Sequence, residues 1–188
     1  MHTPQLTPDF LVEHRLQGYE RVIPMKLEPP DTHHVNAAQG WLGLGNANEA
    51  NAELDKIPDA LQSHPDVLEL RWQVYANARK WQQCVEVGAR LVELAPRKPQ
   101  GWIHRSYALH ELKQTRDALE ALLPAVTLFP KEWLIQYNLA CYCCRLDEPE
   151  RALQFLRQAF KLGDAKEVKP MALTDPDLRE VWKKIETM

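Results

Sequence analysis

The sequence predicts an all-α fold, a solenoid of stacked helix pairs, and three observations lead there. Small and apolar residues recur at one fixed chain interval. Prolines follow apolar runs rather than interrupting them. Capping signals fall where the second helix of a pair would begin.

The interval is 34 residues. It separates Ala118 from Ala152, Leu122 from Leu156, Ala125 from Ala159 and Pro96 from Pro130. Stepping back from Ala118 lands on Cys84 and then Ala50. The same step from Leu122 lands on Gly88 and Leu54, and from Ala125 on Leu91 and Ile57. A fixed period of this length marks helix pairs that cannot bury an apolar face alone and do so by stacking. Small side chains at Ala38, Ala50, Ala118, Ala140 and Ala152 admit close helix contact. Large ones at Leu54, Leu122 and Leu156 fill the adjoining gaps, with Trp72 and Trp102 completing the predicted repeat core.

Numbering the copies from Asp31, Pro65, Pro99 and Trp133, the third reads Trp102, Ser106, Leu109, Ala118, Leu122, Ala125, Pro130. The fourth reads Gln136, Ala140, Cys143, Ala152, Leu156, Ala159, with Asp164 in the proline place. The first gives His34, Ala38, Trp41, Ala50, Leu54, Ile57, and the second Leu68, Trp72, Tyr75, Cys84, Gly88, Leu91, Pro96. This pattern resembles the tetratricopeptide-repeat family. The resemblance spans Asp31 to about Lys166 and implies a right-handed α-solenoid of about four helix pairs, at 31–64, 65–98, 99–132 and 133–166. Copy two departs from it, with Trp72 in a small-residue place. Arg71 and Arg105 stand where apolar residues are usual, and are expected to lie with their stems inward and heads in water.

Asn46 with Glu49, and Asp147 with Glu150, read as N-cap and first-turn acid, with Pro149 in the first turn. Pro96 and Pro130 end apolar runs. Residues 1–30 carry five of the fourteen prolines and read as an extended, partly ordered tail, with a short helix allowed over Pro8 to Gln17. Residues 167–188 are expected to hold a C-terminal capping helix from about Asp175 to Thr187. There Leu178, Val181, Trp182 and Ile185 recur at helical spacing and Thr174 with Asp177 forms the cap.

Composition narrows the function. With 45% hydrophobic and 26% charged residues the chain reads as soluble and globular. A net charge of −3 without a basic stripe argues against nucleic acid. The stretch Trp133 to Cys144 is too short to span a membrane, and the first ten residues lack the pattern of a secretory signal. Three of four cysteines crowd into 141–144, a poor disulfide framework, so a cytoplasmic setting is expected.

The resemblance implies that the first helix of each pair lines a concave groove. Carried onto this chain, the groove includes Gln73, Ile103, Tyr107, His110, Leu134, Tyr137, Cys141 and Cys144, with Tyr107 and Tyr137 as the aromatic anchors. Two occupants compete for this lining: a partner, or the chain's own terminal segments. The basic side chains with which one subclass of the family grips a terminal carboxylate are missing. Val35, Gln39, Leu70, Gln100 and His104 stand in their places.

The leading expectation is therefore a protein- or peptide-binding module, scaffold, adaptor or chaperone-like, monomeric or weakly self-associating, with no enzymatic activity and no cofactor. The alternative is a metal- or redox-dependent regulator. Cys141 and Cys144 lie one helical turn apart with His110 at the equivalent place one repeat earlier, three soft ligands where a closed zinc site needs four. His33 and His34, adjacent on a helix, diverge by about 100° and read as surface residues. Nucleotide-binding, hydrolase and zinc-protease motifs are absent.

Overall fold

The structure is a computed structural model and describes residues 26–188. The short helix allowed over Pro8 to Gln17 lies outside the described residues, as does most of the extended stretch before Pro30. Helices α1 (Asp31–Gly43), α3 (Pro65–Asn77), α5 (Pro99–Glu111) and α8 (Trp133–Arg145) begin 34 residues apart. Each is followed by an antiparallel partner: α2 (Ala47–Leu54), α4 (Trp81–Leu94), α6 (Thr115–Leu122) continued by the short α7 (Ala125–Leu128), and α9 (Pro149–Leu162). Among the described residues there is no strand.

Local chemistry starts these helices. Pro65, Pro99 and Pro149 occupy first-turn positions, where the missing N–H costs nothing and the fixed φ suits a helix. Asn46 caps α2 as expected, its Oδ1 accepting the Glu49 N–H at 3.2 Å.

The turns inside the pairs are built one way four times. Gly45, Arg79, Lys113 and Asp147, again 34 apart, all have positive φ, between 54° and 74°. The N–H of the next residue closes back on the preceding helix: Asn46 on the Trp41 carbonyl, Lys80 on Tyr75, Gln114 on Leu109 and Glu148 on Cys143, all at 2.8–3.0 Å. The left-handed residue's own N–H bonds the carbonyl one residue further along: Leu42, Ala76, His110 and Cys144 in turn. Each such pair of bonds forms a Schellman cap, which needs one left-handed residue. Asp147 is therefore that turn residue and not an N-cap. Glu148 precedes α9 without a side-chain cap, its carboxylate engaged with Arg116 and Arg151. Only the first copy uses glycine at this place.

The small repeat residues are where the backbones meet. Ala38, Ala50, Ala118, Ala140 and Ala152 are fully buried, as are Leu54, Leu122 and Leu156. Copy two exchanges sizes: Trp72 fills the small place, and Gly88 takes the place of a large residue. A Cβ on Gly88 would lie 2.8 Å from the backbone N and Cα of Arg105 on α5, and one on Gly101 would lie 2.8 Å from the Val92 nitrogen on α4. The crossing of α4 and α5 is therefore tight enough to exclude side chains from both helices. Trp102 is half-buried, its Nε1 donating to the Pro96 carbonyl at 3.1 Å.

The two arginines behave differently from each other. Arg71 reaches from α3 to Asn51 (2.7 Å), Asp55 (2.6 Å) and Gln62 (2.9 Å), and Gln62 in turn donates to the carbonyls of Leu54 and Ile57. That network closes the end of the first pair onto the second. The Nε of Arg105 is buried without a partner.

The C-terminal region departs from the single capping helix expected over 167–188. Helix α10 (Ala165–Thr174) continues the stack, a 3-10 turn spans Pro176–Val181, and α11 (Trp182–Glu186) ends the chain. Pro176 supplies the reason. A residue before proline is pushed out of the helical region, and Asp175 is extended, with φ −76° and ψ 117°. The cap residue is Asp175, which accepts the Asp177 N–H at 2.9 Å, while Thr174 donates back to the Pro170 and Met171 carbonyls. The break turns the chain across the first helices, and Leu178, Val181 and Ile185 become core residues.

Two stability changes follow. Lys113→Gly removes the side-chain penalty of a left-handed residue, partly offset by a freer unfolded chain, and should stabilise by about 0.5–1 kcal/mol. Gly88→Ala gains helix propensity but forces α4 from α5, so it should destabilise by about 1–3 kcal/mol. Thermal denaturation of the two variants should move the midpoint in opposite directions.

Candidate partner-binding groove

Burial divides the groove positions expected on the first helices in two. Toward the N-terminus the groove is open: Gln39, Asp66, Gln73 and Gln100 are exposed, and Val35, Glu69 and Ile103 are half-buried. Tyr107, 39% exposed, is the one exposed aromatic residue among those described. Toward the C-terminus it is closed. Tyr137 is 4% exposed, and His110, Cys141 and Cys144 are also buried, while Leu134 is half-buried at the edge.

The chain's own segment from Asp175 to Val181 closes it. Asp175 Oδ2 accepts from the Tyr137 hydroxyl at 2.8 Å and from the Cys141 thiol at 3.5 Å. Asp177 Oδ2 lies 2.8 Å from His110 Nε2, and its Oδ1 lies 3.6 Å from Arg145 Nε. Bonding to His110, opposed by burial, holds the Asp177 carboxyl below its ordinary value, with the charges of His110, Arg145 and Lys113 adding to the effect. Burial first, then the neighbouring Cys141 and Asp175, pushes the Tyr137 hydroxyl far up. Of the two aromatic anchors expected from the sequence, Tyr107 is therefore accessible, and Tyr137 is occupied within the chain.

This arrangement gives the metal or redox reading no support. Both ring nitrogens of His110 are engaged, Nε2 at 2.8 Å from Asp177 Oδ2 and Nδ1 at 3.0 Å from the Thr115 hydroxyl, so neither faces the thiols with a lone pair to spare. Burial, reinforced by Asp175 and Asp177, raises Cys141 well above the ordinary thiol value, and burial raises Cys144 as well. Cys143 is pushed up to about 11 and Cys84 to about 12, again chiefly by burial. These are protonated packing residues, unlike the exposed, low-pKa thiols of redox sites. Among the described residues no three His, Cys, Asp or Glu side chains gather as a metal site.

The open half holds a cluster that the sequence reading passed over. The ring of His104 stacks on Trp72 with centroids 3.9 Å apart and planes within 9°, and its Nε2 lies 2.6 Å from Glu69. Tyr107 meets Trp72 and Trp81 edge-on at 6.3 and 5.8 Å. These contacts join α3, α4 and α5 and fix the Tyr107 ring at the surface. The signal lay in copy two's departures: Trp72 in a small place and His104 facing it one copy on.

No protein-family model matches the chain, and no curated protein matches it by sequence. Solved structures do match. MamA from Desulfovibrio magneticus aligns with a TM-score of 0.65 at 18% identity, over 73% of this chain and 77% of that one. A thermophilic tetratricopeptide-repeat protein of Thermus thermophilus aligns with a TM-score of 0.62 at 18% identity, over 84% of this chain and all of that one. The tandem repeat domain of yeast Sti1, solved in a complex with pHSP90, aligns with a TM-score of 0.54 at 16% identity over 95% of this chain and 76% of that one. Among the described residues no helix is long and apolar enough to cross a membrane. Repeat period, turn geometry and these likenesses agree: by fold, the chain is a tetratricopeptide-repeat solenoid.

Proposed function

We propose that this protein is a non-enzymatic interaction module that receives an extended segment of a partner protein on the concave face of α3 and α5. The observation that carries this reading is Tyr107, an exposed aromatic residue held rigidly in a groove by Trp72 and Trp81. A fixed aromatic ring offers large contact area at small entropic cost, which is what an interface anchor needs. The neighbouring yeast structure, solved as a complex with pHSP90, supports partner binding as a use of this fold.

The working groove in this reading is shorter than the repeat count suggests. Gln73, Ile103 and Tyr107 remain as its lining and Leu134 as its edge, while His110, Tyr137, Cys141 and Cys144 hold the C-terminal segment in place. All four cysteines are free and buried, which suits a reducing, cytoplasmic setting.

Twelve-residue peptides selected by display on the folded protein test this reading. Tyr107→Ala should weaken the selected peptides at least about tenfold, a loss of about 1.4 kcal/mol, in a protein that thermal denaturation shows still folded. Tyr137→Ala should instead destabilise the fold by about 3 kcal/mol, because it empties a buried aromatic site. Affinity indifferent to Tyr107→Ala would refute the groove assignment.

A further inference from the structure

The open half of the groove has a definite electrostatic character. Its inward-facing charged side chains on α3, Asp66 and Glu69, are both acidic, and Glu111 follows Tyr107 by one turn on α5. Glu69 is paired with His104, and Asp66 lies 3.8 Å from His64. Glu111 forms no ion pair among the described residues. Asp175 forms none either, but its carboxylate is filled by three neutral donors, the Tyr137 hydroxyl, the Cys141 thiol and the Asp177 N–H.

Tyr107 thus has the unpaired Glu111 carboxylate one turn away on its own helix. Partial burial, then Glu111, then Asp177 and Asp175 push its hydroxyl above the ordinary value. The groove is also continuous with an interface already formed. That interface is the Asp175–Val181 segment, seated on His110 and Tyr137 among the expected groove positions.

Resting on the interaction-module reading, we propose that the open groove selects a cationic partner: an extended peptide segment whose Lys or Arg side chain lies against the Tyr107 ring, beside the Glu111 carboxylate. An aromatic face attracts a cation through its quadrupole, and a neighbouring carboxylate reinforces that attraction. The groove of this chain is thus opposite in sign to one that grips a terminal carboxylate. A second copy of this chain is a poorer occupant, because its net charge of −3 opposes an acidic groove.

Fluorescence anisotropy on the full chain tests the proposal with three labelled twelve-residue peptides of one Leu/Gly framework, carrying three Lys, three Gln or three Glu. The Lys peptide should bind at least tenfold tighter than its Glu twin and weaken as salt rises. Glu111→Gln should cost about threefold and Tyr107→Ala about tenfold. Glu120→Gln, exposed on α6, should change nothing. Thermal melts establish that each variant is folded.

Equal or tighter binding of the Gln or Glu peptide, still dependent on Tyr107, would overturn the charge selection and leave the interaction module standing. Binding of the Lys peptide that ignores both Glu111→Gln and Tyr107→Ala would overturn the proposal. So would the absence of binding by all three peptides at 1 mM, an outcome that display-selected peptides then separate from failure of the groove itself. Binding of a labelled peptide of residues 1–25 supplied in trans, with no binding of the Lys peptide, would assign the groove to the chain's own N-terminal segment and overturn it too.

Discussion

Close contact between helix backbones is the constraint on which the rest of this structure depends. The first, third and fourth helix pairs meet where Ala38, Ala50, Ala118, Ala140 and Ala152 are fully buried, and at the α4–α5 crossing a Cβ on Gly88 or Gly101 would lie 2.8 Å from the facing backbone. Interiors pack at crystal-like density, so a helix so seated has little freedom to slide or rotate. The orientation of the inward faces, and hence the groove, follows from these contacts.

The turns serve the same constraint. A Schellman cap at the end of each first helix reverses the chain in very few residues, which keeps the two helices of a pair adjacent. Three of the four copies place Arg79, Lys113 or Asp147 in the left-handed position. Strain of this kind, of order 1–3 kcal/mol per residue, persists because two backbone hydrogen bonds and the packed helices on either side determine the turn.

The C-terminal segment changes what the solenoid can do. It completes the core of the last two copies through Leu178, Val181 and Ile185, and it also fills the concave face there with the carboxylates of Asp175 and Asp177. One stretch thus closes the apolar end of the stack and consumes half of the groove. The remaining half, around Tyr107, is acidic and aromatic, and its ring is oriented by Trp72 and Trp81.

The sequence by itself determined the fold class, the period, the buried Ala and Leu positions and the Asn46 cap, because these depend on side-chain size and on bonds spanning a few residues. The family resemblance added the expectation that Tyr107 and Tyr137 face inward. Only the tertiary structure decided which of the two is accessible. That depended on the chain breaking helix at Asp175 before Pro176 and folding back over residues far away in sequence, so that His110 meets Asp177 and Tyr137 meets Asp175. The left-handed role of Asp147 was hidden because that position is set by turn geometry and not by residue type. The Trp72–His104–Glu69 contacts were hidden because they join α3 to α5, first helices of neighbouring copies that meet only in the folded stack.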